Sequence, residues 1–155
     1  MISKDIFKIF IVTFLISIVF VNIKAYQSSS IQAYLLFDYN SDSYLVPPEV
    51  YNKLDYNFPN LTLTALPIKI LKARYLLNID SISEAKSLLF DARKANPYMM
   101  AAEDMLAKIY LQENNLDSAY LLSKIAFQKM PNVDLHRDTY FKVLRSLKDS
   151  INVEP

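Results

Sequence analysis

The chain has no glycine, no cysteine, no tryptophan and a single histidine, His136, among its 155 residues. At an average frequency of about 7%, a chain of this length carries roughly eleven glycines, so the absence is informative. Glycine supplies the positive-φ and close-approach positions that phosphate loops need. A P-loop, a dinucleotide fingerprint and a G-x-S-x-G nucleophile elbow are therefore excluded. Without cysteine there are no disulfides, no Cys-type zinc sites, no iron–sulfur clusters and no thiol catalysis, and one histidine cannot make a multi-histidine metal site. The expectation is a protein with no metal, no cofactor, no small-molecule substrate and no catalytic residues of its own. Missing thiols say nothing about compartment, because a chain without them suits either redox environment.

Charge of one sign is missing too: seventeen Lys plus Arg stand against sixteen Asp plus Glu. Affinity for phosphate backbones rests on a clustered basic excess, so a nucleic-acid partner is not expected. What the chain does have is apolar surface, with 52% of its residues hydrophobic.

Residues 9–23, IFIVTFLISIVFVNI, carry no charge, and the run reaches back to about residue 6 if Lys8 extends its ammonium to the interface. Fifteen to eighteen residues is short for a spanning helix, which needs about 20, and sits at the upper end for a signal-peptide core. Ala25 offers a small residue at a cleavage point, with Ile23 a poor fit two positions earlier. Residues 1–25 are thus read as a transmembrane anchor or, alternatively, a cleaved signal. Lys4 and Lys8 before the run keep the amino end in the cytoplasm in both cases, so the rest faces the extracytoplasmic side, membrane-bound or released after cleavage near Ala25.

Residues 26–66 hold six of the eleven tyrosines, mixed with Asn, Asp and Ser and punctuated by Pro47, Pro48 and Pro59, with Pro67 just beyond. Proline makes long regular elements across those points unfavourable. The stretch reads as a Tyr/Pro-rich linker with a short helix at about 49–56, led by Pro47-Pro48 and Glu49.

From residue 67 onward the chain resembles itself at an offset of thirty-four. Ala73 aligns with Ala107, Leu77 with Leu111, Ala85 with Ala119, Leu88 with Leu122, Ala92 with Ala126 and Pro97 with Pro131. Two alanines seven residues apart lie two turns apart on one helix face, where they let a second helix approach closely. The proline beyond them stops the helix. The turns fall near residues 78–81 and 113–115, where Asn tolerates the left-handed conformation and Ser81 or Asn115 can cap the next helix. Residues 134–148 continue the register as a third first-helix, with Phe141 thirty-four after Ala107, and suit a helix that caps the array. The expected helices are 67–78, 82–95, 98–113, 116–130 and 134–148, in a domain covering 67–150 with a short tail at 151–155.

These landmarks resemble those of the tetratricopeptide repeat family, whose unit is a thirty-four-residue helix–turn–helix. The resemblance covers residues 66–131. It departs from the family pattern at Ala73 and Ala107, where glycine is common, and at Leu89 and Ser123, where an aromatic is expected. It implies an all-α fold: a short solenoid of about two and a half repeats behind the amino-terminal helix. It also implies a non-catalytic role, gripping a peptide or partner helix on the concave face. A second implication follows from bacterial envelope-polysaccharide polymerases and ligases that carry such a tail: an accessory subunit, or a tail on its own, in such a system.

On that register Arg74, Lys108 and Lys142 form a column of cations, with Leu77 and Leu111 beside it, a candidate cradle for an acidic, partly apolar partner. Asp104 and Asp138, four residues before two of the cations, can neutralise them in part. His136 reads as a polar residue at the start of a helix, and the landmark alanines and prolines as repeat-packing residues.

Overall fold

A computed structural model of the chain describes residues 4–151. Within them it is all-helical, with seven helices and no named strand. The chain divides into two compact units, Met1–Pro59 and Asn60–Pro155. Residues 1–3 of the expected anchor and 152–155 of the expected tail lie outside the described residues.

The first unit is dominated by α1 (Lys4–Asn40), 37 residues long. It does not end with the apolar run but continues through Ala25 and the first part of the Tyr-rich stretch, so the helical region is longer than residues 1–25. No proline or glycine stands before Pro47 to stop it. At 1.5 Å per residue the helix is about 55 Å long, and residues 6–23 take up about 27 Å of it, close to the thickness of a bilayer's hydrocarbon core. By length and composition α1 can cross a membrane: its most apolar window has mean hydropathy 2.5 and is fully exposed.

Beyond that window α1 changes character. Ser28, Gln32, Leu35 and Asp38 are buried along one face, and Gln32 Nε2 donates to Ser28 Oγ at 2.9 Å. The chain leaves the helix through Asp42, at φ 50°, and turns back on the Asp38 carboxylate. That carboxylate accepts from Ser43 Oγ at 2.9 Å and from the backbone N–H groups of Leu45 and Val46 at 2.6 and 3.0 Å. A buried carboxylate filled by donors in this way fixes the turn. The short helix begins where Pro47-Pro48 and Glu49 place it but is one turn only, α2 (Pro48–Tyr51), which packs against α1.

In the second unit, residues 60–67 form a tight turn held by Thr62 N–H to the Leu66 carbonyl and Leu66 N–H to Thr62 Oγ1. Five helices follow: α3 (Ile68–Asn78), α4 (Ile82–Ala95), α5 (Ala101–Gln112), α6 (Leu116–Lys129) and α7 (Asp134–Ile151). The third starts later than expected because residues 96–99 form a turn, with Asn96 Oδ1 accepting from Tyr98 N–H. The last runs on to Ile151, into the expected tail. Each of these helices packs on the next in chain order, and α5 also packs on α7.

The period of thirty-four is visible in the backbone. Asp80 and Asn114 are both left-handed, at φ 57° and 56°. The N–H of Ser81 reaches the Leu76 carbonyl at 2.8 Å, as that of Asn115 reaches Tyr110 at 2.8 Å, closing α3 and α5 by the same six-to-one bond. Asn115 caps α6 through Ser118 N–H at 3.2 Å, whereas Ser81 makes no side-chain cap. Ala73, Ala85, Ala92, Ala107, Ala119 and Ala126 are all completely buried, where a larger side chain would force the helices apart. Pro97 and Pro131 are exposed: they stand in the turns after α4 and α6 and contribute little packing.

Candidate functional site

Three of the five expected partner-binding residues meet in one place. Lys108 and Leu111 from α5 and Lys142 from α7 line a groove of about 520 Å³, together with Asn114, Asp138 and Thr139. Arg74 and Leu77, at the same register position on α3, do not line it. Arg74 is only 7% exposed, so α3 presents no open cation corresponding to Lys108 and Lys142.

The two groove lysines differ in charge environment. Lys108 Nζ lies 2.7 Å from Asp104 Oδ2, the expected i,i+4 pair. Asp138 instead pairs with Arg137, at 3.4 Å, leaving Lys142 exposed and without an ion pair among the described residues. Lys142 is therefore the more available of the two cations for an incoming carboxylate or phosphate, with Leu111 and Leu135 supplying apolar contact nearby.

Beneath the groove lies a cluster that spacing along the chain does not reveal. Asp104 is completely buried, and its Oδ1 stands 3.4 Å from Nδ1 of His136, itself 3% exposed. Burial alone would raise the Asp104 pKa, but the His136 imidazole and the Lys108 ammonium hold it below the ordinary carboxylate value. An acid, an imidazole and a hydroxyl invite comparison with a nucleophilic triad. The Thr139 hydroxyl, however, donates to the Leu135 carbonyl at 2.9 Å, and so little of His136 is exposed that a substrate has no approach to it. The cluster ties α5 to α7. His136 does sit in the first turn of its helix, but as a buried partner of Asp104 rather than a helix-start residue with no distant contact. Its register equivalents are Ile68 and Ala102, both buried, which is the signal that foretells its burial.

The adjacent Glu103 is also buried and takes a separate partner, Arg93 Nε at 2.8 Å, joining α5 to α4. Lys86 makes a second bridge between those helices, to Glu113 at 2.8 Å and over the Tyr110 ring at 4.3 Å. Between α6 and α7 the rings of Phe127 and Tyr140 stack at 5.2 Å, with Tyr120 and Phe141 at the edges. Burial first, and the neighbouring Tyr120 second, raise the Tyr140 phenol. Among the described residues no group of three or more His, Cys, Asp or Glu is placed to hold a metal ion.

Compared with protein-family models, with curated proteins and with solved structures, the chain matches none.

Proposed function

We propose that the protein is a membrane-anchored, tetratricopeptide-like scaffold whose second unit faces the extracytoplasmic side and binds an acidic, partly apolar segment of another protein, without catalysis of its own. The observation that carries this reading is the groove in which Lys108, Leu111 and Lys142 converge. Two long cations beside apolar side chains suit a peptide with a carboxylate next to an apolar residue. The solenoid reading is supported by the recurrence of left-handed residues, closing bonds and buried alanines at one offset. An uncleaved anchor is supported by the continuity of α1 through Ala25, since proteolysis favours exposed, irregular backbone over the middle of a helix.

A photo-cross-linking residue in place of Leu111 in the full-length protein tests the groove, with the same residue in place of the exposed Leu121 as the control. The expected result is a partner adduct at the Leu111 position, lost in the Lys108→Glu, Lys142→Glu double variant. Adducts that form equally at both positions, or that survive charge reversal, overturn the reading. Membrane fractionation with amino-terminal sequencing tests the anchor: a mature chain beginning at Tyr26 in the soluble fraction would show a cleaved signal instead.

A further inference from the structure

Helices α3, α5 and α7 share one register, so the environment of each α7 residue can be compared with its equivalents thirty-four and sixty-eight positions earlier. One face is treated alike in all three. Ile68, Ala102 and His136 are buried, as are Tyr75, Ile109 and Val143. The opposite face is not. Leu66 and Met100 are buried but Asp134 is exposed; Ile70 and Asp104 are buried but Asp138 is exposed; Ala73 and Ala107 are buried but Phe141 is 45% exposed. On α5 this face meets α7, with Asp104 Oδ1 3.4 Å from His136 Nδ1. On α7 it is exposed at Asp134 and Asp138, and Phe141 keeps 45% of its surface exposed beside the Phe127 ring of α6.

The open face has its own order. Asp134, Asp138, Phe141, Arg145 and Lys148 follow one another at intervals of four, three, four and three, the spacing of a helix–helix seam, and all five are exposed. Acids occupy its first half, an aromatic its centre and bases its second half. A seam of that kind is complementary to itself when turned end for end. Asp134 then meets Lys148, Asp138 meets Arg145, and Phe141 meets Phe141. A parallel arrangement would oppose like charges at four of the five positions, which is costly.

We propose that α7 is an isologous docking surface for a second copy of this chain, the two α7 helices pairing antiparallel about Phe141. In the single chain Arg137 holds Asp134 at 2.9 Å and Asp138 at 3.4 Å. Those pairs are largely solvent-exposed and contribute little, so they do not oppose the exchange for intermolecular partners. The groove lined by Lys108 and Lys142 lies on the flank of α7 rather than on this seam, apart from the shared Asp138.

The natural chain has no cysteine, so single introduced thiols report contact without background. The experiment uses the full-length protein in detergent, oxidised mildly and read as disulfide-linked dimer. Phe141→Cys is expected to give about tenfold more dimer than Leu121→Cys, an exposed α6 position off the seam. Because that change removes the central ring, the deciding measurement keeps it: Asp138→Cys mixed with Arg145→Cys. The mixture should cross-link, while each variant alone should not, since identical positions lie about 10 Å apart along an antiparallel pair, beyond the span of a disulfide. Asp138→Cys linking to itself as well as it links to Arg145→Cys would show a parallel pair and overturn the proposal. So would a mixture no better linked than Leu121→Cys, which would mean that something other than a second copy covers the face.

Discussion

Asp104 on α5 and Asp138 on α7 occupy the same place in the register, thirty-four residues apart, and carry the same charge four residues before a lysine. Their environments are opposite. The Asp104 side chain is fully buried and held between Lys108 and His136, whereas that of Asp138 is 71% exposed and pairs with Arg137. The first helps tie α7 to α5; the second belongs to a face that is exposed among the described residues. Sequence position therefore specifies which way the side chain points. What that side chain is worth depends on whether another helix arrives.

Removing each acid in turn separates the two environments most strongly. Asp104→Ala removes the buried carboxylate beside His136 and Lys108 and is expected to cost about 2 kcal/mol in denaturant unfolding of the full chain. Asp138→Ala should cost under about 0.5 kcal/mol. Similar losses at both positions would mean that Asp104 is not the buried anchor of α7.

Acid should report on Asp104 separately. The Asp104 carboxyl is held below its ordinary value of 3.8, so the folded protein favours its charged form and the unfolded chain takes up the proton first. Its contribution is complete above about pH 4 and is lost as pH falls through the native pKa. Unfolding midpoints followed from about pH 5 down to about pH 2 should therefore drop less steeply in Asp104→Asn than in the natural chain.

Much of the second unit could be read from the chain because its landmarks recur: four of its five helices end within a residue or so of where the alanines, turns and prolines place them. The length of α1 was harder to see. Tyrosine and serine following a charged Lys24 look like the exit from an apolar segment, yet Ser and Tyr are only mildly unfavourable in a helix, and no breaker stands before Pro47. Of the candidate site, Lys108, Leu111 and Lys142 followed from the period taken together with the family resemblance, which implies a binding face on the first helix of each unit. Arg74 did not join them because a register gives direction and not exposure, and its long side chain is buried. The Asp104–His136 pair bridges thirty-two residues, and only the alignment of His136 with Ile68 and Ala102 hinted that it faces inward.

The two inter-helix turns offer a smaller contrast. Asn115 caps α6 by accepting from Ser118 N–H, while Ser81 occupies the same place before α4 without a side-chain bond. Asn115→Ala is expected to cost about 1 kcal/mol and Ser81→Ala about 0.3 kcal/mol, read from thermal unfolding. Equal effects would mean that the copies are capped alike.

A contrast of opposite sign concerns the missing glycine. Asp80, Asn114 and Ala65 all have φ near +60°, the region glycine enters freely. Asp and Asn offset the steric cost there with short polar side chains that bond locally, and alanine has no such means. Replacement by glycine relieves the steric cost but loosens the unfolded chain, so the two terms nearly cancel at Asp80 and Asn114. Asp80→Gly and Asn114→Gly should thus leave stability within about 0.3 kcal/mol of the natural chain, whereas Ala65→Gly should raise it by about 0.5 kcal/mol. If Ala65→Gly gives no increase while Asn114→Gly does, the array lacks glycine at a real cost in its turns; the expected order would show that asparagine and aspartate replace it there at almost none.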